Sequence, residues 1–205
     1  LAALQLQLFR LEVPAALARF PDFAGLSFFL NRLLSIGFAA MIALVYVIRR
    51  PAREGRRDPI AVGIAMYASF VLLALRPLVL WLGVESATLP TWSLGASNVL
   101  VACGAAFSIY ALLYLRLNFS ILPEARELVT GGPYRLVRHP VYLGEIIGAI
   151  GLALALPSLV SAGLLVTFVT AQLVRTHIEE QVLTRVMPTY QDFARRTPRL
   201  FPHPW

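Results

Sequence analysis

The sequence predicts an all-α, polytopic membrane protein, and three observations carry the prediction. Of 205 residues, 58% are hydrophobic and 14% are charged, whereas soluble chains average about 45–50% and 25%. The apolar residues are grouped in long runs, and a helix needs about 20 such residues to cross a bilayer. All eighteen basic residues are Arg, and most of them lie between the runs. This composition excludes disordered and collagen-like chains. A disulfide-stapled fold is excluded because Cys103 is the single cysteine.

Residues 1–117 are predicted to form an N-terminal interfacial helix and three transmembrane helices. Leucines at helical spacing over residues 4–20 indicate the interfacial helix. The three predicted spans are 26–48, 60–83 and 92–117. No cleavable signal peptide is expected, since the first apolar run lies too far in and Arg follows it.

Residues 118–205 form the second predicted unit. A polar stretch over 118–140 precedes thirty-four residues, 141–174, that carry a single charge, Glu145. This length barely suffices for two crossings, and Leu156-Pro157-Ser158 supplies a turn, so we predict a helical hairpin of two short crossings. A helix over 175–186 and a Pro-rich tail are expected after it.

The distribution of arginine predicts orientation. Fourteen Arg lie in segments assigned to the inside and four lie outside or in the outer half of a span. The positive-inside rule then gives about five crossings, with the N-terminus outside and both 118–140 and 175–205 at the cytoplasmic face. A multi-pass protein of the cell (inner) membrane is expected in a prokaryote, and of the endoplasmic reticulum in a eukaryote. Nucleic-acid binding is not expected, because no nucleic-acid-binding motif accompanies the arginines.

The most specific motif is GGPYRLVRHPVYLG over residues 131–144. It concentrates Arg, His and Tyr side chains just before an apolar helix. A juxtamembrane anchor would explain the Arg and Tyr residues, but Pro140 also fixes the backbone of His139, which favours a functional site.

A second polar cluster comprises Arg175, His177, Glu179 and Glu180. Adjacent helical residues point about 100° apart, so one Glu can face a site while the other pairs with an Arg. An Arg175–Glu179 surface pair is the structural alternative. Glu145 is expected to be either functional or bridged to Arg138 or Arg175.

These two clusters resemble the isoprenylcysteine carboxyl methyltransferase and phospholipid methyltransferase superfamily of integral membrane methyltransferases. The resemblance covers residues 118–205. It rests on GPYRxVRHPxYxG over 132–144 and on a C-terminal pattern made of these residues: Arg175, Glu179, Glu180, Leu183, Tyr190, Phe193, Pro198, Arg199, Leu200 and Pro202.

The resemblance implies S-adenosylmethionine as the methyl donor, bound at a cytoplasmic site between the Arg-His-Pro loop and the Glu-Glu helix. It implies these cofactor-binding residues: Tyr134, Val137, Arg138, His139, Pro140, Tyr142, Leu143, Glu179 and Glu180. The predicted catalytic residues are Arg138, His139, Arg175 and Glu179. No metal is expected, and the chain is expected to be monomeric among membrane lipids.

The predicted function is methyl transfer to a lipophilic small molecule or lipidated acceptor. A carboxylate acceptor, such as a prenylcysteine, would need no general base, whereas a thiol or amine would need one. No His is visibly paired with an acidic side chain in the sequence, so no general base is evident. This favours a carboxylate as the acceptor. The alternatives are an NADPH-dependent sterol-type membrane reductase, which shares an Arg-His-Pro element, and a non-enzymatic lipid-binding membrane protein.

Overall fold

The computed structural model describes residues 59–82, 91–117 and 128–201, together with separate positions between 25 and 40. Every regular element in these ranges is helical, which confirms the all-α part of the predicted class for the described residues. The elements are α1 (Pro59–Trp81), α2 (Thr91–Leu117), the 3-10 turn η1 (Gly132–Arg135), α3 (Pro140–Ala155), α4 (Leu159–Val186) and α5 (Tyr190–Arg196).

Two of the described helices are long and apolar enough to cross a membrane. Their candidate spans are Trp92–Leu115 and Leu159–Val186, and the apolar helix α3 is shorter, with 16 residues. Helices α1 and α2 coincide with the predicted second and third spans. The interfacial helix over 4–20 and the loop over 49–58 lie outside the described residues, as does much of the predicted span 26–48. The number of five crossings therefore stays a prediction.

The helical hairpin turns where the sequence predicts it, at Leu156, Pro157 and Ser158. Ser158 caps α4, accepting a hydrogen bond from the backbone N–H of Ser161 at 3.1 Å. The second arm and the predicted helix over 175–186 form one helix, because α4 continues without a break for 28 residues through Arg175. The length of each crossing stays a prediction. No Gly or Pro occurs between Gly163 and Pro188, so the change from apolar to polar side chains does not end the helix.

Helices α2 and α3 approach closely because small residues line their contact. Gly104 of α2 lies against the backbone of Gly144 and Gly148 in α3. Ser97 donates a 2.6 Å hydrogen bond to the carbonyl of Gly151. Small residues and hydroxyl groups of this kind are typical of helix contacts in membranes.

Helix α1 packs on α4, and the buried core joins all four long helices. Its members are Val71, Leu72, Leu75, Val101, Tyr142, Ile146, Ala149, Leu152, Phe168 and Leu200. Leu200 follows α5 in sequence, so the C-terminal segment is anchored in the same core that holds the hairpin.

Replacing Gly104 by Ala is expected to destabilise the protein by about 2 kcal/mol or more, the range for forcing extra atoms into a packed contact. A Cβ there would lie 2.5 Å from both the Gly144 carbonyl oxygen and the Gly148 nitrogen. Gly95→Ala on the same helix is the matched control, since a Cβ at Gly95 meets nothing within 4 Å. Unfolding by SDS titration measures both variants; equal stability of the two would contradict the close α2–α3 contact.

Candidate active site

The chain after α5 returns to the loop that precedes α3. Residues 197–201 form this return segment, here called the C-terminal strap. The backbone N–H of Arg138 donates to the carbonyl of Pro198 at 2.9 Å, and that of His139 donates to the carbonyl of Arg199 at 3.1 Å. These two bonds fasten the Arg-His-Pro loop to the strap, although 60 residues separate Arg138 from Pro198 in sequence.

Pro140 begins α3 and holds His139 outside the helix. His139 is the N-cap residue with φ −124° and ψ 63°, which lies outside the α-helical region that a following Pro disfavours. Its carbonyl accepts the N–H of Leu143 at 3.1 Å. The His139 ring is therefore fixed at the end of an apolar helix.

Glu180 binds three cationic or hydrogen-bonding side chains at once. Its Oε2 accepts from Nε and Nη2 of Arg199 at 3.0 and 2.6 Å. Its Oε1 lies 3.3 Å from Nε of Arg138 and 3.1 Å from Nε2 of His139. The Glu180 side chain is only 10% exposed, so this carboxylate joins the strap, the loop and α4 in a largely desolvated cluster.

Glu179 points elsewhere, as the 100° separation of neighbouring helical residues predicts. Its Oε2 accepts a 2.9 Å hydrogen bond from the Tyr142 hydroxyl, and its side chain is 28% exposed. The His139 ring stacks on Tyr142 with centroids 5.6 Å apart, and its Nδ1 is 4.0 Å from Glu179. Glu179 is thus the more accessible carboxylate of the pair.

The expectation that no His is paired with a carboxylate is wrong. His139 is 6% exposed and contacts Glu180 through one ring nitrogen and Glu179 through the other. Sequence could not reveal the pairing, because 41 residues separate His139 from Glu180 and only the packing of α3 on α4 joins them. His177, the other candidate base, is exposed and contacts Gln181 one turn along α4.

Arg175 joins this cluster at the end of the apolar part of α4. Its guanidinium lies 4.7 Å from the Tyr142 ring centroid, a cation–π contact. It also donates to the Gln172 side-chain oxygen at 3.1 Å, and the Gln172 amide donates to Glu145. The described link from Glu145 to Arg175 therefore runs through Gln172 rather than as a direct bridge.

Gln172 is a polar site residue that the sequence analysis missed. Its side chain is fully buried, and Glu145 is 2% exposed. The available signal was a lone amide three residues before Arg175 in an otherwise apolar stretch. The buried amide thus has a partner both for its NH2 group and for its carbonyl oxygen.

Four other residues that were predicted to bind the cofactor lie in the protein interior or against its core. Tyr134, Val137 and Pro140 are buried and Leu143 is half-buried against the core. They shape the loop and the start of α3. Their assignment to a cofactor pocket stays a prediction.

Tyr190 has an assigned place in the sequence pattern but no predicted role. It is 2% exposed, and its hydroxyl has no hydrogen-bond partner among the described residues. Burial raises the pKa of its phenol above the ordinary value, and the negative charge of Glu180 raises it further. The Tyr190 side chain is therefore a neutral phenol near Glu180.

In the described ranges, no group of three or more His, Cys, Asp or Glu side chains is placed to hold a metal ion.

Comparison with known protein families relates the region that contains the site to one family. Residues 91–189 match the family model described as phospholipid methyltransferase. This region of the chain is similar to the phospholipid methyltransferase family. The match confirms the superfamily that the sequence motifs indicated, and it starts at α2, ahead of those motifs. It ends immediately before Tyr190, so it contains η1, α3 and α4 with both glutamates.

Two curated proteins are similar to the chain. The nickel-cobalt-cadmium resistance protein NccN of Alcaligenes xylosoxydans xylosoxydans is 33% identical over 113 residues, covering 55% of this chain and 53% of that protein. The cobalt-zinc-cadmium resistance protein CzcN of Cupriavidus metallidurans is 40% identical over 76 residues, covering 37% and 35%. The chain thus spans about half the length of the first relative and about a third of the second. No solved structure matches the chain significantly.

Proposed function

We propose that the protein is a membrane methyltransferase that transfers a methyl group from S-adenosylmethionine to a lipophilic acceptor. The observation that carries this proposal is that the matched methyltransferase region holds the polar cluster of His139, Tyr142, Glu179 and Glu180 at the end of apolar helices. A sterol-type reductase or a non-enzymatic lipid-binding protein is less consistent with that family match.

The side chains present fit the charges of S-adenosylmethionine. The cofactor bears a sulfonium, an ammonium and a carboxylate group. Glu179 offers a partly exposed carboxylate beside the Tyr142 ring, and both an anion and an aromatic face attract a cation. We assign the cofactor contact to Glu179 rather than Glu180, because Glu180 is already occupied by Arg138, His139 and Arg199.

When bound, S-adenosylmethionine supplies an electrophilic methyl group. The acceptor atom forms a bond to the methyl carbon as the carbon–sulfur bond breaks and sulfur keeps the electron pair. Such a displacement needs alignment and exclusion of water more than covalent help. The proposed contribution of the chain is therefore rigidity: the strap and the Glu180 cluster hold the loop, and Tyr142 holds Glu179.

Transfer of radiolabelled methyl groups tests the proposal. Membranes containing the full chain are incubated with methyl-labelled S-adenosylmethionine, and the label is then sought in the organic-solvent extract. Label above that of membranes lacking the protein is expected. No label in the extract over a range of added lipophilic acceptors would contradict the function.

The rate of methyl transfer at saturating cofactor is expected to be nearly flat from about pH 6 to 9. A carboxylate acceptor is already ionised above about pH 5 and needs no base, and Nε2 of His139 already contacts Glu180 at 3.1 Å. A pH–rate profile checks this. A steep rise between pH 7 and 9 that disappears in His139→Ala would assign a thiol or amine acceptor instead.

We further propose five crossings, with the polar cluster at the cytoplasmic face. The proposal rests on the distribution of the eighteen arginines. In a Cys103→Ser background, Gln191→Cys on the exposed surface of α5 is expected to react with a membrane-impermeant maleimide only after the membrane is opened. Labelling of this position in sealed, right-side-out cells would contradict the orientation.

The names of the two relatives concern resistance to nickel, cobalt, cadmium and zinc. We propose that methyl transfer by this chain contributes to such resistance. Growth of a strain lacking the gene is compared on these metals after complementation with wild type or with Glu179→Gln. Equal protection by the wild type and by Glu179→Gln would show that metal resistance does not depend on methyl transfer.

A further inference from the structure

A cavity of about 430 Å³ opens beside the C-terminal strap. This volume falls within the range of small-ligand pockets, about 300–1,000 Å³. The cavity is lined by four arginines: Arg138, Arg195, Arg196 and Arg199. Leu173, Leu200 and Phe201 supply apolar lining. Of the residues predicted to bind the cofactor, Arg138 lines the cavity, whereas His139, Tyr142, Glu179 and Glu180 do not. The cavity therefore lies beside Glu179, the proposed cofactor contact, without including it.

The lining has an apolar part and a basic part. Leu173 precedes Glu180 by seven residues on α4, which corresponds to about 10 Å along a helix axis. It lies within the candidate span Leu159–Val186 and is 40% exposed, and Phe201 is 61% exposed. The arginines at 195 and 196 belong to the last turn of α5, outside that span. The cavity therefore joins an apolar surface to a cationic one.

The described carboxylates near the cavity leave positive charge uncompensated. Glu180 is shared by Arg138 and Arg199. Asp192 lies 3.7 Å from Arg195, but both side chains are about three-quarters exposed, and such surface pairs are weak. Within the described residues, four guanidinium groups thus face two carboxylates. An anion is the ligand that this surplus attracts.

We propose that this cavity binds an anionic amphiphile, a lipid whose phosphate contacts Arg195 and Arg196 and whose acyl chain lies against Leu173 and Phe201. S-adenosylmethionine carries a net positive charge near neutral pH, so the arginines favour an anionic lipid over the cofactor. The site does not depend on methyl transfer, and a bound lipid there would hold the strap at the membrane interface.

Titration of the detergent-solubilised full chain with short-chain phosphatidylglycerol tests the site. The double change Arg195→Gln and Arg196→Gln is expected to weaken binding about thirtyfold, since each Arg near an anionic lipid contributes on the order of 1 kcal/mol. Arg185→Gln is the matched control, an exposed Arg in the last turn of α4 that does not line the cavity, and its affinity should stay within about twofold of wild type.

Two further titrations separate a lipid from its free headgroup. Phe201→Ser is expected to weaken phosphatidylglycerol binding and to leave inorganic phosphate binding unchanged, because only the lipid uses the apolar wall. Glycerol phosphate binding as tightly as phosphatidylglycerol would overturn the assignment to an amphiphile. Equal binding of zwitterionic phosphatidylcholine, or equal losses in Arg185→Gln and the double variant, would overturn the anion site.

A titration with S-adenosylmethionine on the same samples keeps the two proposals apart. The double variant is expected to bind the cofactor like wild type, which also shows that it is folded. A wild-type protein that binds phosphatidylglycerol but not S-adenosylmethionine would contradict the proposed function and leave the lipid site standing.

Discussion

Replacing Glu180 by Gln is expected to release the C-terminal strap and to abolish methyl transfer. The substitution leaves Arg138, Arg199 and His139 without the carboxylate that they share at 3.3, 2.6 and 3.1 Å. Removing one partner of a buried ion pair costs about 3–5 kcal/mol. Because the Arg199 side chain is 39% exposed, water compensates part of the loss, and we expect about 2–3 kcal/mol here.

Limited trypsin digestion and methyl-transfer assays measure the effect of Glu180→Gln. Cleavage after Arg195, Arg196 or Arg199 should accelerate, since the strap no longer pairs with α4. Asp192→Asn is the matched control: it also changes an acid to an amide near the strap, but its ion pair with Arg195 is exposed and weak. If Glu180→Gln were as resistant to trypsin and as active as Asp192→Asn, the Glu180 cluster would not hold the site together.

Replacing Glu179 by Gln is expected to weaken S-adenosylmethionine binding by about tenfold to a hundredfold while leaving the fold intact. The amide oxygen can still accept from the Tyr142 hydroxyl, now 2.9 Å from Glu179 Oε2, but the negative charge is lost. Hydrogen bonds and contacts to charged groups contribute about 1.5–3 kcal/mol. The side chain is 28% exposed, so water can solvate the amide that replaces the carboxylate.

S-adenosylhomocysteine provides an internal comparison for Glu179→Gln. This product lacks the methyl group and the sulfonium charge but keeps the ammonium and carboxylate groups. Its affinity should therefore fall less than that of S-adenosylmethionine. Equal losses for both ligands would show that Glu179 does not face the sulfonium.

Much of the fold follows from local sequence, whereas the pairing of side chains inside the candidate site does not. The apolar runs predict the helices α1 and α2, and Pro157 predicts the hairpin turn, because chain composition and backbone restriction decide both. The end of the helix at Val186 agrees with the predicted stretch 175–186. Its continuity with the second arm of the hairpin was not predicted, because the composition changes at Arg175 while the first helix-breaking residue is Pro188.

The site residues were recognisable as two clusters, but their partners were not. The divergence of Glu179 and Glu180 follows from helix geometry. Which of them meets Arg199 depends on the strap, whose two backbone bonds to the Arg-His-Pro loop join residues 60 apart. Gln172 was missed because a single amide in an apolar run has no local signature until α3 brings Glu145 beside it.

Calorimetric titration of the wild-type, detergent-solubilised protein with S-adenosylmethionine and, separately, with NADPH tests the proposed methyl-donor site most directly. Saturable one-to-one binding of S-adenosylmethionine, weakened in Glu179→Gln, with no heat from NADPH beyond dilution, is the expected result. Saturable binding of NADPH with none of S-adenosylmethionine would contradict the proposed methyl-donor site and assign the polar cluster to a reductase.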